Sequence, residues 1–152
     1  ENLTPELLAI FNQSQKKPRV TFYEGIAGIN EVYADTLKER KPIVAWTDYE
    51  HIKIVMGDRF MEEYPQERVK RRIAFRAIVR EGPIAREMER KNIEHLRQIK
   101  FIQGDLKTEI NIYGNKVAFM SFRSMPPFAV IIEDAGIADT MRLGWQQLWE
   151  RL

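Results

Sequence analysis

Residues 43–47, Ile-Val-Ala-Trp-Thr, run apolar without the alternation of a half-buried strand. A strand of this kind needs cover on both faces, which only a sheet with helices packed on either side supplies. It is followed at once by Thr47-Asp48-Tyr49-Glu50, a capping-box pattern that starts a helix. Tyr49, Ile52, Met56 and Phe60 then recur every three or four residues as that helix's apolar stripe. Strand handed directly to helix is the unit of an α/β sheet, and the chain repeats it. RVTFYE (19–24) is a strand closed by Gly25, and Ile26, Ile29, Val32, Tyr33 and Leu37 form the stripe of the next helix. AFRAIV (74–79) is a strand broken by EGP (81–83), and a charged segment to about His95 reads as a solvated helix.

The second half is strand-rich. IKFIQ (99–103) and TEINIY (108–113) are strands, Gly114-Asn115 is a two-residue hairpin signal, and KVAFMSF (116–122) returns. FAVIIED (128–134) is a last buried strand. Ile137, Met141, Trp145, Leu148, Trp149 and Leu152 mark an amphipathic closing helix, whose two tryptophans read as core or dimer contacts. At the other end Leu3, Leu7, Leu8 and Phe11 recur at helical spacing after Thr4-Pro5, and QSQKKP (13–18) reads as a linker. The expected fold class is α/β, a mixed β-sheet flanked by helices.

Composition narrows the function classes. With 152 residues, 44% of them hydrophobic, the chain supports a packed core. A net charge of +2 gives no electrostatic reason for it to bind nucleic acid by itself. The run Arg68 to Arg72 reads as a charged helix end rather than a DNA-contacting patch. There is no cysteine, hence no disulfide or thiolate metal site, which suits a reducing compartment, and we expect a cytoplasmic protein. No apolar run is long enough to span a bilayer, so no membrane partner is expected, and no metal-ligand cluster or cofactor motif stands out.

One motif matches a known chemistry. His51, Lys53 and Asp58 have the H-x-K-x-x-x-x-D spacing with which phospholipase D enzymes and related nucleases attack phosphodiesters. That motif works on a strand, where residues two apart point the same way. Here it lies in the helix opened by Thr47–Glu50, where positions two apart diverge by roughly 200°. If the hairpin at 108–122 is instead aligned with the one that carries the motif in phospholipase-D-like folds, the three positions fall near Leu106, Thr108 and Tyr113, none of them catalytic. The other histidine, His95, does not repeat the spacing.

KPRVTFYEGIAGINEVYADTL (17–37), RIAFRAIV (72–79), LRQIKFI (96–102), INIYGNKVAFMSF (110–122) and IADTMRLGWQQLW (137–149) together resemble the TrmB-type transcriptional regulators over almost the whole chain. The resemblance implies an effector domain with a catalytically inactive phospholipase-D-like fold, joined in the family to an N-terminal winged helix that binds DNA. Residues 1–17 would then be a helix and linker from that upstream domain, and 18–152 the sensing domain. The implied function is effector sensing and oligomerisation, as a homodimer, with DNA reached only through the upstream domain. A sugar is one class of effector that the resemblance admits. The alternative is a phosphodiesterase using His51, Lys53 and Asp58.

Candidate ligand-binding residues follow from position. Tyr23, Glu24 and Gly25 sit where a strand hands over to a helix, at the sheet edge where α/β proteins place ligands. Arg76 interrupts an apolar strand and calls for an acidic partner such as Glu24, or a ligand. Glu109 and Asn111 share one face of their strand, and Lys116 and Ser121 follow the hairpin turn.

Overall fold

The computed structural model describes residues 4–15 and 17–152. In chain order the elements are α1 (Pro5–Gln15), β1 (Arg19–Glu24), α2 (Gly25–Glu39), β2 (Ile43–Thr47), α3 (Tyr49–Lys70), β3 (Phe75–Arg80), α4 (Pro83–Arg90), β4 (Arg97–Ile102), β5 (Glu109–Tyr113), β6 (Lys116–Ser121), β7 (Phe128–Glu133) and α5 (Ala135–Trp149). The strands form one seven-stranded sheet in the order β1-β7-β6-β5-β2-β3-β4. β2, β3 and β4 are parallel to one another, and the remaining neighbours pair antiparallel. The mixed sheet flanked by helices expected from the sequence is the fold found.

β2 lies near the middle, between β5 and β3, and its apolar run is covered on both sides. Ile43 and Ala45 face a core built with α2, α3 and α4, while Val44 faces a second core under α5. Trp145 and Trp149 of α5 stack at 4.9 Å in that second core, and the Trp145 indole donates to the Ala45 carbonyl at 2.9 Å. Satisfying the indole N–H lets Trp145 be buried completely. Trp149 is therefore a core residue and not an anchor for a second copy.

Local sequence rules are overridden in several places. The N-cap of α3 is Asp48, whose side chain accepts from the Glu50 amide at 3.1 Å. Thr47 instead completes β2, and Glu50 does not close a capping box. Its carboxylate reaches the start of α4, accepting from the amides of Ile84 (3.0 Å) and Ala85 (3.3 Å), two donors that the helix itself leaves unpaired. α3 runs on to Lys70 through Pro65, but Gly57 breaks its regularity with φ 82 and ψ 172, a backbone region open essentially to glycine alone. α4 ends at Arg90, well before His95, and turns lead into β4.

The basic run at 68–72 is not a cationic patch. Arg68 is buried, donates to the Ile73 carbonyl at 2.8 Å and lies over the Phe75 ring. Lys70 and Arg71 both pair with Glu67. α1 continues through Gln13–Gln15, where a linker was expected, and Leu7, Leu8 and Ile10 on it are exposed. Leu3, the side chain of Phe11 and Lys16 lie outside the described residues.

Candidate functional site

Parallel strands β2 and β3 end on the same edge of the sheet where β5 begins and β6 finishes. At this edge Asp48 gathers a set of polar side chains. Its Oδ2 accepts from His51 Nδ1 and from Arg80 Nη1, each at 3.0 Å, and lies 3.6 Å from Arg123 Nη2. Arg123 in turn makes a two-pronged pair with Asp105. Two guanidiniums are thus shared between two carboxylates, and the imidazole is committed to the residue that caps its own helix. Lys53 points elsewhere, pairing with Asp58 at 3.4 Å. His51 sits in the first turn of α3, as its position in the sequence predicts, and the H-x-K-x-x-x-x-D match is not an assembled triad. His95 is buried against Arg97, which donates to its Nδ1 at 3.1 Å. Burial, reinforced by the Arg97 and Arg68 guanidiniums, lowers its pKa to about 4 and keeps it neutral.

A second polar group lies behind this edge, on the inner face of the sheet beneath α2 and α3. Glu109 is 4% exposed. Its Oε1 accepts from the Tyr33 hydroxyl at 3.2 Å and from Asn111 Nδ2 at 3.1 Å, while Oε2 has no partner. Burial pushes the carboxyl up to about 8, the two hydrogen bonds offsetting it only in part and the Asp48 carboxylate adding to the rise. The hydroxyl of Thr47 is also buried and without a partner, as is Oδ1 of Asn111. Glu109 and Thr47 line a small cavity of about 30 Å³, walled by Tyr33, Tyr49, Phe60 and Tyr64 among others. Outside it, between α2 and α3, a groove of about 360 Å³ shares the rings of Tyr33, Phe60 and Tyr64.

The residues singled out from sequence are scattered relative to this site. Glu109 and Asn111 are brought together, as their shared strand face requires. Tyr23 packs at the margin of the inner core. Glu24 is an exposed N-cap, and Gly25, at φ 73, turns β1 into α2 with its amide bonded to the Pro127 carbonyl. Lys116 and Ser121 stand at opposite ends of β6 and, five positions apart, on opposite faces. Lys116 is held by Asp35 and Glu39 of α2, and Ser121 bonds Ser124.

Arg76 does not pair with Glu24. It lies on the other face, 4.9 Å above the Trp145 ring, and bonds Gln146 at 3.2 Å. The indole faces supply the stabilisation for which an anion had been expected. Sequence reasoning missed Thr47, read as a cap, and Tyr33 and Phe60, read only as apolar stripe. It missed Asp48 as well, although an Asp three residues before a His in a helix's first turn is a local signal.

Among the described residues no group of acidic or histidine side chains is arranged to hold a metal ion, and no helix is long and apolar enough to cross a membrane.

No protein-family model matches the chain, and no curated protein does. Among solved structures, TrmBL2, an archaeal chromatin protein with a novel mode of DNA binding, superposes with a TM-score of 0.62 at 15% identity. The match covers 96% of this chain but only 59% of TrmBL2. NucT from Helicobacter pylori superposes with a TM-score of 0.57 at 8% identity, covering 88% of this chain and 97% of NucT. At these identities the likeness shows the fold, which is phospholipase-D-like.

Proposed function

We propose that this chain is the effector-sensing and oligomerising domain of a TrmB-like transcription regulator, with DNA read by a winged helix elsewhere in the protein. The observation that carries this is the state of the histidines. A phospholipase-type attack needs an imidazole free to reach phosphorus and a lysine beside it. His51 is bound to Asp48 on a helix, Lys53 is turned to Asp58, and His95 is buried against Arg97. The likeness to TrmBL2, which spans nearly all of the chain, supports a place in a DNA-associated protein. The cavity and groove beneath α3 support a sensing role, since they supply space for a small ligand beside the sheet. Tyr23, Glu24, Gly25, Arg76, Lys116 and Ser121 drop out of the ligand site in this reading, and Glu109 and Asn111 remain.

For self-association the structure favours α1 over α5. Leu7 and Ile10 are 51% and 61% exposed, and β1 at the sheet edge adds Val20 and Phe22 at 64% and 62%. The proposed homodimer buries these side chains. Sequence-specific recognition is tested by a gel shift at physiological salt. The fragment alone should give at most weak binding that tolerates any sequence, and a tight, sequence-specific shift would place the DNA-reading element within these residues.

A further inference from the structure

Glu109 and Thr47, which line the cavity beneath α3 one step beyond the Trp46–Ile110 pair of β2 and β5, each carry a buried polar atom that nothing in the protein satisfies, Oε2 and Oγ1. Leaving such atoms unpaired is costly, so the pair marks a place built around something additional. Because Oε1 already accepts two hydrogen bonds, the proton of the neutral carboxyl belongs on Oε2, which is then a donor without an acceptor in the protein. A hydroxyl group answers both atoms at once: it accepts from Glu109 and donates to the Thr47 oxygen.

The rest of the lining excludes charge. Arg68 and Arg97 border the cavity, Arg68 donating from Nη1 to the Ile73 carbonyl and Arg97 from Nη2 to the Met88 carbonyl. With two guanidiniums in the wall a cationic ligand is disfavoured, and the apolar side chains of Ile52, Met61, Phe75 and Met88 give a charged ligand of either sign no replacement for its water.

Size identifies the gate. A volume of about 30 Å³ holds about two waters and no organic molecule. The groove of about 360 Å³ on the far side is large enough for a ring. Only the mutually packed rings of Tyr33, Phe60 and Tyr64, with centroids 4.6 to 5.5 Å apart, are common to both spaces. Tyr33 is tied to Glu109, and Tyr64 to the Thr36 hydroxyl at 2.6 Å. Phe60 has no polar tether, is half-buried, and follows the Gly57 break by three residues. Of the three shared rings it is the one held by packing alone.

We infer that Glu109 and Thr47 form the recognition end of a ligand site gated by Phe60, and that the ligand is a small uncharged molecule joining a ring-sized apolar body to one hydroxyl group. This rests on the sensing-domain reading above, and names the ligand class of its site. The test uses phenol and benzene as probes, followed by amide chemical shifts of the whole chain. Phenol should shift the amides of Thr47 and Glu109 saturably, and benzene should bind about tenfold more weakly for want of one hydrogen bond. Glu109→Leu should reduce phenol to the affinity of benzene, while Glu109→Gln, which keeps a donor at the same place, should retain the preference and show that the fold tolerates the site. Phe60→Ala should strengthen binding of both probes about tenfold by opening the wall. Equal binding of the two probes by the native chain would overturn the inference, as would shifts confined to the groove residues Arg59 and Glu67. Phosphodiester turnover lost in His51→Ala would instead strike the sensing-domain reading beneath it.

Discussion

Replacing Glu109 by Gln should make the protein more stable at neutral and alkaline pH, although it removes a charged-type side chain from the native sequence. The carboxyl titrates near 4.5 when exposed and at about 8 in the fold. A raised folded pKa in an acid means that between these values the native state holds a proton that the unfolded state has released. Stability therefore falls as pH rises through that window, by about 1.4 kcal/mol per pH unit and by no more than about 5 kcal/mol in all. His95 acts in the opposite sense: with its pKa lowered from 6.5 to about 4, its contribution is lost as pH falls below 6.5. The two slopes oppose each other between about 4.5 and 6.5, and Glu109 stands alone from 6.5 to 8, where roughly 2 kcal/mol should be lost. Gln keeps the shape and accepts from Tyr33 and Asn111 but does not titrate. Urea denaturation at a series of pH values is the assay. The native chain should weaken from pH 6.5 to 8, and the Glu109→Gln protein should lack that component of the slope. Parallel curves for the two proteins would mean that Glu109 is hydrated and ionised in the fold, which would refute the reasoning about its orphaned oxygen.

Other expectations test separate parts of the structure. Gly57→Ala should cost at least about 1 kcal/mol in urea denaturation, because alanine cannot hold φ 82 with ψ 172 without strain. Glu50→Ala should cost about 1 kcal/mol and quicken amide exchange in the first turn of α4, a helix it caps from 34 positions away. Arg76→Met should destabilise by about 1 kcal/mol through loss of the indole contact, whereas Glu24→Gln should be neutral and additive with it, since the two do not meet. Sedimentation equilibrium should find a dimer of the 18.0 kDa chain at tens of micromolar, and Leu7→Asp should dissociate it while leaving the fold intact.

The elements of the fold were legible where the signal is local and strong. The unbroken apolar run at 43–47 and the helical stripes of α2 and α5 are read from period and length alone, and they call for a strand covered on both faces, which is how β2 lies. Misreadings arose where a long-range partner displaced a local one. Glu50 has the position for a capping box, but the orphan amides of α4 are better donors for it. Arg68 reads as part of a charged helix end because nothing nearby reveals that the Phe75 ring and the Ile73 carbonyl will receive it. Arg76 announced its need for a partner, and the identity of that partner, two tryptophans about 70 positions away, was not in its neighbourhood.

The candidate site was half legible. Strand parity alone joins Glu109 to Asn111, and the same parity separates Lys116 from Ser121. That Glu109 keeps an unpaired oxygen beside a cavity depends on Tyr33 from α2, Thr47 at the end of β2 and the course of α3 after Gly57. None of these is encoded near residue 109.

The most direct test of the sensing-domain account is hydrolysis of bis-nitrophenyl phosphate by the purified chain, run beside His51→Ala and Lys53→Ala. The expected result is no nitrophenolate release above the buffer rate from any of the three, because the imidazole is held by Asp48 and the lysine lies apart from it. Turnover by the native chain that disappears in both variants would contradict the account and make this protein a phosphodiesterase.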